Sequence, residues 1–234
     1  MSFFESPETK EGDGNLGNIE VRPREPMRVF VDFGAGRHPV AEVDTKRFQG
    51  NEMYIAVDYD IDELRRGKEA LSKKQVGDIK TNALFVHTEK GKVPVEDQTV
   101  DEIYFGNVFG EPFRKEFKKD GDVELVSDIK SEAEIELLVK EAHRVLKDDG
   151  TLIVLETYTS IDSKEKVLKK ILKKTDFKIE RVIRAGDPTF EIEWRKYDSF
   201  HTNVPGKESP MGEPYILYAR KRRKPLSVTG RWFQ

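Results

Sequence analysis

The chain contains no cysteine, which removes disulfides, thiolate metal sites and a cysteine nucleophile together. No apolar run approaches the ~18 residues of a membrane span, and the N-terminus lacks the basic region and apolar stretch of a secretory signal. A cytoplasmic location is therefore expected. There is no excess of cations either: the net charge is −3, so the chain as a whole does not announce a nucleic-acid ligand. The motifs of zinc hydrolases, serine hydrolases and P-loop nucleotidases are missing, as is any internal repeat. No metal is expected.

What is present is a heavily charged sequence whose apolar residues gather in short runs. Charged and hydrophobic residues each make up 36%, and 234 residues suffice for one α/β domain with extensions. Residues 1–26 carry little periodic pattern and read as an extension, with the domain proper covering 27–234. Apolar runs predict strands near 28–32, 53–58, 83–87, 101–106, 151–156, 177–184 and 214–220. Helices are predicted near 39–48, 60–74, 131–147 and 163–174. This alternation implies a mostly parallel sheet covered on both faces.

The most informative segment is Val29-Phe30-Val31-Asp32-Phe33-Gly34-Ala35-Gly36, followed by a second apolar run ending in Ala56-Val57-Asp58. Gly34 and Gly36 allow a sharp turn off a strand and bring backbone N–H groups close to a ligand. Asp58, at the end of the neighbouring strand, suits the two hydroxyls of a ribose. The dinucleotide fingerprint needs a third glycine where Pro39 stands, so a pyrophosphate ligand is disfavoured.

The stretch Asp32-Phe33-Gly34-Ala35-Gly36-Arg37-His38 resembles the first motif of the class I, Rossmann-like S-adenosylmethionine-dependent methyltransferases, with His38 in place of that motif's last glycine. Val93-Pro94-Val95-Glu96-Asp97 through Phe105 is similar to the family's turn and fourth strand, and Arg144-Val145-Leu146-Lys147 through Val154 to its helix end, glycine turn and fifth strand. The resemblance implies a seven-stranded, mostly parallel sheet with an antiparallel last strand, and S-adenosylmethionine as cofactor. The cofactor residues it implies are Asp32, Gly34, Ala35, Gly36, His38, Asp58 and Tyr59. Glu89 falls at the adenine, and Gly106 and Asn107 beside the methionine and its methyl group.

The connection from about 185 to 213 is too long for a hairpin turn and reads as a functional insertion. Trp194, Tyr197 and His201 from it, with Phe109 from the loop after the fourth strand, are the expected acceptor-site residues, and residues 1–26 the expected cover. His201 is the best-placed base if the acceptor must lose a proton. Arg220-Lys221-Arg222-Arg223-Lys224 reads either as a charged strand end or as a phosphate contact. The expected activity is methyl transfer to a small molecule or peptide. The alternatives are an RNA methyltransferase using the basic run and a binding module of the same fold without catalysis. The sequence leaves the oligomeric state open.

Overall fold

The computed structural model describes residues 27–36, 38–43, 48, 52–74, 82–88, 91–109, 114–117, 123–126, 130–156, 163–197 and 214–223. The expected cover at 1–26, Glu89, His201 and Lys224 lie outside the described residues, as does the insertion beyond 197.

The apolar runs form strands β1 (Arg28–Phe33), β2 (Glu52–Asp58), β3 (Ala83–His87), β4 (Val100–Gly106), β7 (Leu146–Glu156), β8 (Phe177–Arg184) and β9 (Tyr215–Lys221). Their order in one sheet is β3-β2-β1-β4-β7-β9-β8. β1 pairs in parallel with β2 and β4, whereas β9 runs antiparallel to both β7 and β8. This is the mostly parallel sheet with an antiparallel last strand that the sequence implies.

Two cores explain why the strands are apolar on both faces. Val31, Phe33, Ile55, Val57, Ile103 and Phe105 turn to one side, where they meet α3 (Glu132–Val145) and α4 (Ser163–Lys174). Phe30, Tyr54, Ala56 and Tyr104 turn to the other, against α1 (Val40–Val43), α2 (Ile61–Lys74) and α5 (Phe190–Trp194). α3 starts at a capping box, the Ser131 hydroxyl accepting from Glu134 N–H while the Glu134 carboxylate accepts from Ser131 N–H.

Three features differ from the sequence expectation. Leu146 is already extended, at φ −66° and ψ 136°, so α3 ends at Val145 and β7 begins immediately. An antiparallel hairpin, β5 (Arg114–Phe117) with β6 (Val123–Val126), stands between β4 and α3 in a segment too charged to read as strand. The connection after β8 is not an open loop at its start: α5 packs onto the sheet. Among the described residues, no helix is long and apolar enough to cross a membrane.

Candidate cofactor site

β1, β2 and β4 all end at the same edge of the sheet, and each end carries a residue that the sequence marks. Gly34 and Gly36 sit at φ +72° and +48°, where an L side chain is strained. The N–H groups of Gly34 and Ala35 donate to Val57 O at 2.8 and 3.3 Å, which ties the turn to β2. A Cβ on Gly34 would also meet Val108 Cγ2 at 2.9 Å, so the turn lies against the chain leaving β4.

Asp58 closes the turn from the side of β2. Its Oδ2 accepts from Gly36 N–H at 2.8 Å and its Oδ1 from Asp60 N–H at 2.8 Å. Burial raises the Asp58 pKa, and these backbone donors oppose the rise. A carboxylate has about four acceptor positions, so the backbone bonds from Gly36, Asp60 and Tyr59 leave capacity for a ribose hydroxyl.

Asp32 braces the turn from below. It is 1% exposed, and its Oδ2 accepts from Val40 N–H at 2.9 Å and from the Tyr54 hydroxyl. Burial pushes its pKa up to about 7, despite the hydrogen bonds from Tyr54 and Val40. The expectation that Asp32 contacts a cofactor is corrected: its carboxylate joins the end of β1 to the start of α1 and holds the turn's shape.

Gly67, which the sequence reading passed over, completes this arrangement. A Cβ there would lie 2.4 Å from Gly36 O and 3.2 Å from Pro39 Cδ, so α2 approaches the turn as closely as backbone allows. A glycine inside a helical pattern was the available signal.

The other predicted residues divide by exposure. Ala35 is buried beside the turn, whereas His38 and Tyr59 are exposed. The Lys130 ammonium stands 5.7 Å from the Tyr59 ring centroid, and Lys130 N–H donates to Phe109 O at 3.1 Å. That residue therefore reaches from the chain after β4 towards the end of β2. Asn107, at φ +54°, anchors the chain after β4 through its N–H to Leu155 O at 2.8 Å.

Three expected acceptor-site residues are core instead. Phe109 is 2% exposed, packs edge-on to Phe105, and donates its N–H to Glu156 Oε1 at 3.1 Å. Trp194 is completely buried against Phe190, and Tyr197 is buried with its ring stacked on Tyr104 at 5.0 Å. Their apolar area is used in packing α5 and the chain after β4 onto the sheet, which corrects their assignment to an acceptor wall.

The motif residues that carry the resemblance further along the chain are structural. Arg144 donates to Val93 O and Val95 O, both at 3.0 Å, and pairs with Glu141 at 2.6 Å, fixing the turn before β4. Lys147 bonds Asp101 at 2.8 and 2.9 Å, while Asp101 Oδ2 accepts Val29 N–H at 2.9 Å.

The basic run is similarly engaged. Arg220 pairs with Glu180 at 2.8 Å, Arg223 pairs with Asp149, and buried Lys221 donates to His143 O at 2.8 Å and Leu146 O at 2.7 Å. Lys221 thereby caps the last carbonyls of α3. No group of acidic or histidine side chains suited to a metal ion occurs among the described residues.

No protein-family model and no curated protein matches the sequence. Solved structures do match the fold. A SAM-dependent methyltransferase from Methanosarcina mazei aligns with a TM-score of 0.58 at 12% identity, over 86% of this chain and 95% of its own. Geranyl diphosphate C-methyltransferase from Streptomyces coelicolor A3(2), bound to Mg2+, geranyl diphosphate and S-adenosyl-L-homocysteine, aligns with a TM-score of 0.54 at 14% identity, over 85% and 73%. The [4+2]-cyclase SpnF aligns with a TM-score of 0.54 at 14% identity, over 86% and 77%. The chain thus has the class I S-adenosylmethionine-dependent methyltransferase fold.

Proposed function

We propose that this protein is an S-adenosylmethionine-dependent methyltransferase acting on a small-molecule or peptide acceptor. One observation carries the reading: the Asp58 carboxylate, at the end of β2, faces the Gly34–Gly36 turn at the end of β1 and holds Gly36 N–H at 2.8 Å. That pairing suits a nucleoside, with the carboxylate for its ribose diol and a turn without side chains for its 5′ substituent. The fit is supported by Gly36 itself, whose φ of +48° L side chains rarely adopt, so the position beside the carboxylate carries no side chain.

When bound, the cofactor supplies a methyl group already activated by the sulfonium charge. The protein's part is then to orient, because alignment dominates such a transfer. Asp58 would hold the ribose, Tyr59 would flank the base, and the chain from Gly106 to Asn107 would bound the reacting end. An acceptor with a proton to lose also needs a base, for which His201 is the residue the sequence offers.

The engagement of Arg220, Lys221 and Arg223 in ion pairs and a helix cap favours a small acceptor over RNA, since these cations already have internal partners. The cyclase among the fold neighbours shows that this architecture also carries a protein named for another reaction, so the activity rests on the site rather than the fold. Calorimetry with S-adenosylmethionine tests the site. Asp58→Ala is expected to weaken binding by about 1.5–3 kcal/mol, through loss of charge-assisted hydrogen bonds. Unchanged affinity removes Asp58 from the site.

A further inference from the structure

We propose that Asp32 distinguishes the cofactor from its spent form by charge alone, without touching either, an inference that rests on the cofactor reading above. Asp32 is the penultimate residue of β1, level with Ala56 in β2 and Tyr104 in β4. Its Oδ2 accepts from the Tyr54 hydroxyl of β2 and from Val40 N–H of α1, and among the described residues no cation pairs with it. Asp58 repels it from across the glycine turn. His38, between the turn and α1, is exposed to solvent. Burial and the neighbouring Asp32 keep the Tyr54 phenol protonated far above its usual range. An ionised Asp32 therefore has neither water nor a counter-ion, and a charge so placed is costly.

The repulsion between the two carboxylates sets the reach of the effect. Asp32 senses the charge of the group that takes the ribose, and in S-adenosylmethionine the sulfonium is joined to that ribose through a single methylene. A cation there favours the ionised form of Asp32 for the same reason that Asp58 disfavours it. Binding of the cofactor therefore drives a proton off Asp32, and by reciprocity the ionised protein binds the cofactor more tightly. The amine and carboxylate of the methionyl group are common to cofactor and product, so the sulfonium is the difference Asp32 reads.

Once the methyl group has left, the bonding pair stays on sulfur and Asp32 faces a neutral thioether. It then takes a proton back from solvent, and the product lacks the stabilisation that the cofactor had. Burial pushes the pKa of Asp32 up to about 7, which puts this exchange in the neutral range. Cofactor affinity accordingly rises with pH through that midpoint, while product affinity stays level.

Carbon-13 NMR of the full chain, labelled at its aspartate carboxyls, follows the titration directly, and Asp32→Asn assigns the resonance by its absence. Titrations are run on the free protein, with S-adenosylmethionine and with S-adenosylhomocysteine. The expected Asp32 midpoint is about 7 in the free protein, lower by about one pH unit with S-adenosylmethionine and unmoved with S-adenosylhomocysteine. Calorimetry should then show the ratio of the two affinities rising roughly tenfold across the titration. Should Asp32→Asn not fold, Tyr54→Phe identifies the same resonance, because losing a hydrogen bond that favours ionisation moves its midpoint up. A free-protein midpoint at the ordinary 3.8, or one that both ligands shift equally or neither shifts, overturns the inference and leaves the cofactor site standing. Absence of S-adenosylmethionine binding by the unaltered protein overturns the cofactor reading and this inference with it.

Discussion

Two buried carboxylates shape the glycine turn from opposite sides, and their chemistry differs. Asp58 bonds backbone donors of the turn and the following loop, whereas Asp32 is enclosed with the Tyr54 hydroxyl and Val40 N–H. Burial holds Asp32 protonated up to about pH 7, far above the ordinary carboxylate value of 3.8. The folded state therefore keeps a proton that the unfolded chain releases near pH 4, so this group's contribution to stability falls as pH rises between about 4 and about 7 and is level above that. Asp32→Asn keeps an acceptor oxygen for Tyr54 and Val40 and cannot titrate. Its melting temperature relative to the native chain is expected to climb as pH is raised from about 4.5 to about 8. A difference that does not move with pH contradicts the burial of a protonated Asp32.

At the scale of elements, the site depends on how closely α2 and the end of α3 are held. Gly67→Ala forces a methyl against Gly36 O, where 2.4 Å is available, so either α2 retreats or the turn shifts. Overpacking of this kind costs about 1–3 kcal/mol, and thermal denaturation should show it together with weaker cofactor binding. Unaltered stability means that the helix has slack the structure does not show. Lys221→Met removes two bonds to carbonyls near the end of α3 and is expected to cost about 1–3 kcal/mol in chemical denaturation, with exposed Arg222→Ala near zero. Equal effects from the two substitutions contradict the cap. The elements themselves were largely legible because β1, β2 and β4 are continuous apolar runs and α3 has apolar residues three and four apart. The glycine turn and Asp58 were legible for the same reason, as marked residues at the ends of such runs. The hairpin of β5 and β6 was not legible, since Lys115, Glu116 and Glu124 interrupt the apolar pattern. Trp194 and Tyr197 show the opposite difficulty: aromatic residues in an irregular connection look alike whether they face a ligand or the core, and only tertiary packing distinguishes them. Gly67 was visible as a glycine inside a helix, but its partner, Gly36 O, is 31 residues away in sequence and is brought near only by the fold.

For the whole molecule, the sheet order brings Gly34, Asp58 and Gly106 to one edge, and charge is distributed so that the basic run stabilises the far end of the sheet. Lys221 ties β9 to α3, and Arg220 and Arg223 pair with Glu180 and Asp149. These features together predict a nucleoside cofactor at the carboxyl edge and an acceptor that needs no polyanion site. The third-glycine position of the dinucleotide fingerprint is occupied by Pro39, which disfavours a pyrophosphate ligand. The central claim is therefore tested most directly by titrating the purified full-length chain, in one calorimetric experiment, with S-adenosylmethionine and with NAD. Saturable binding of S-adenosylmethionine and no heat from NAD is the predicted result. Binding of NAD, or of neither ligand, contradicts it.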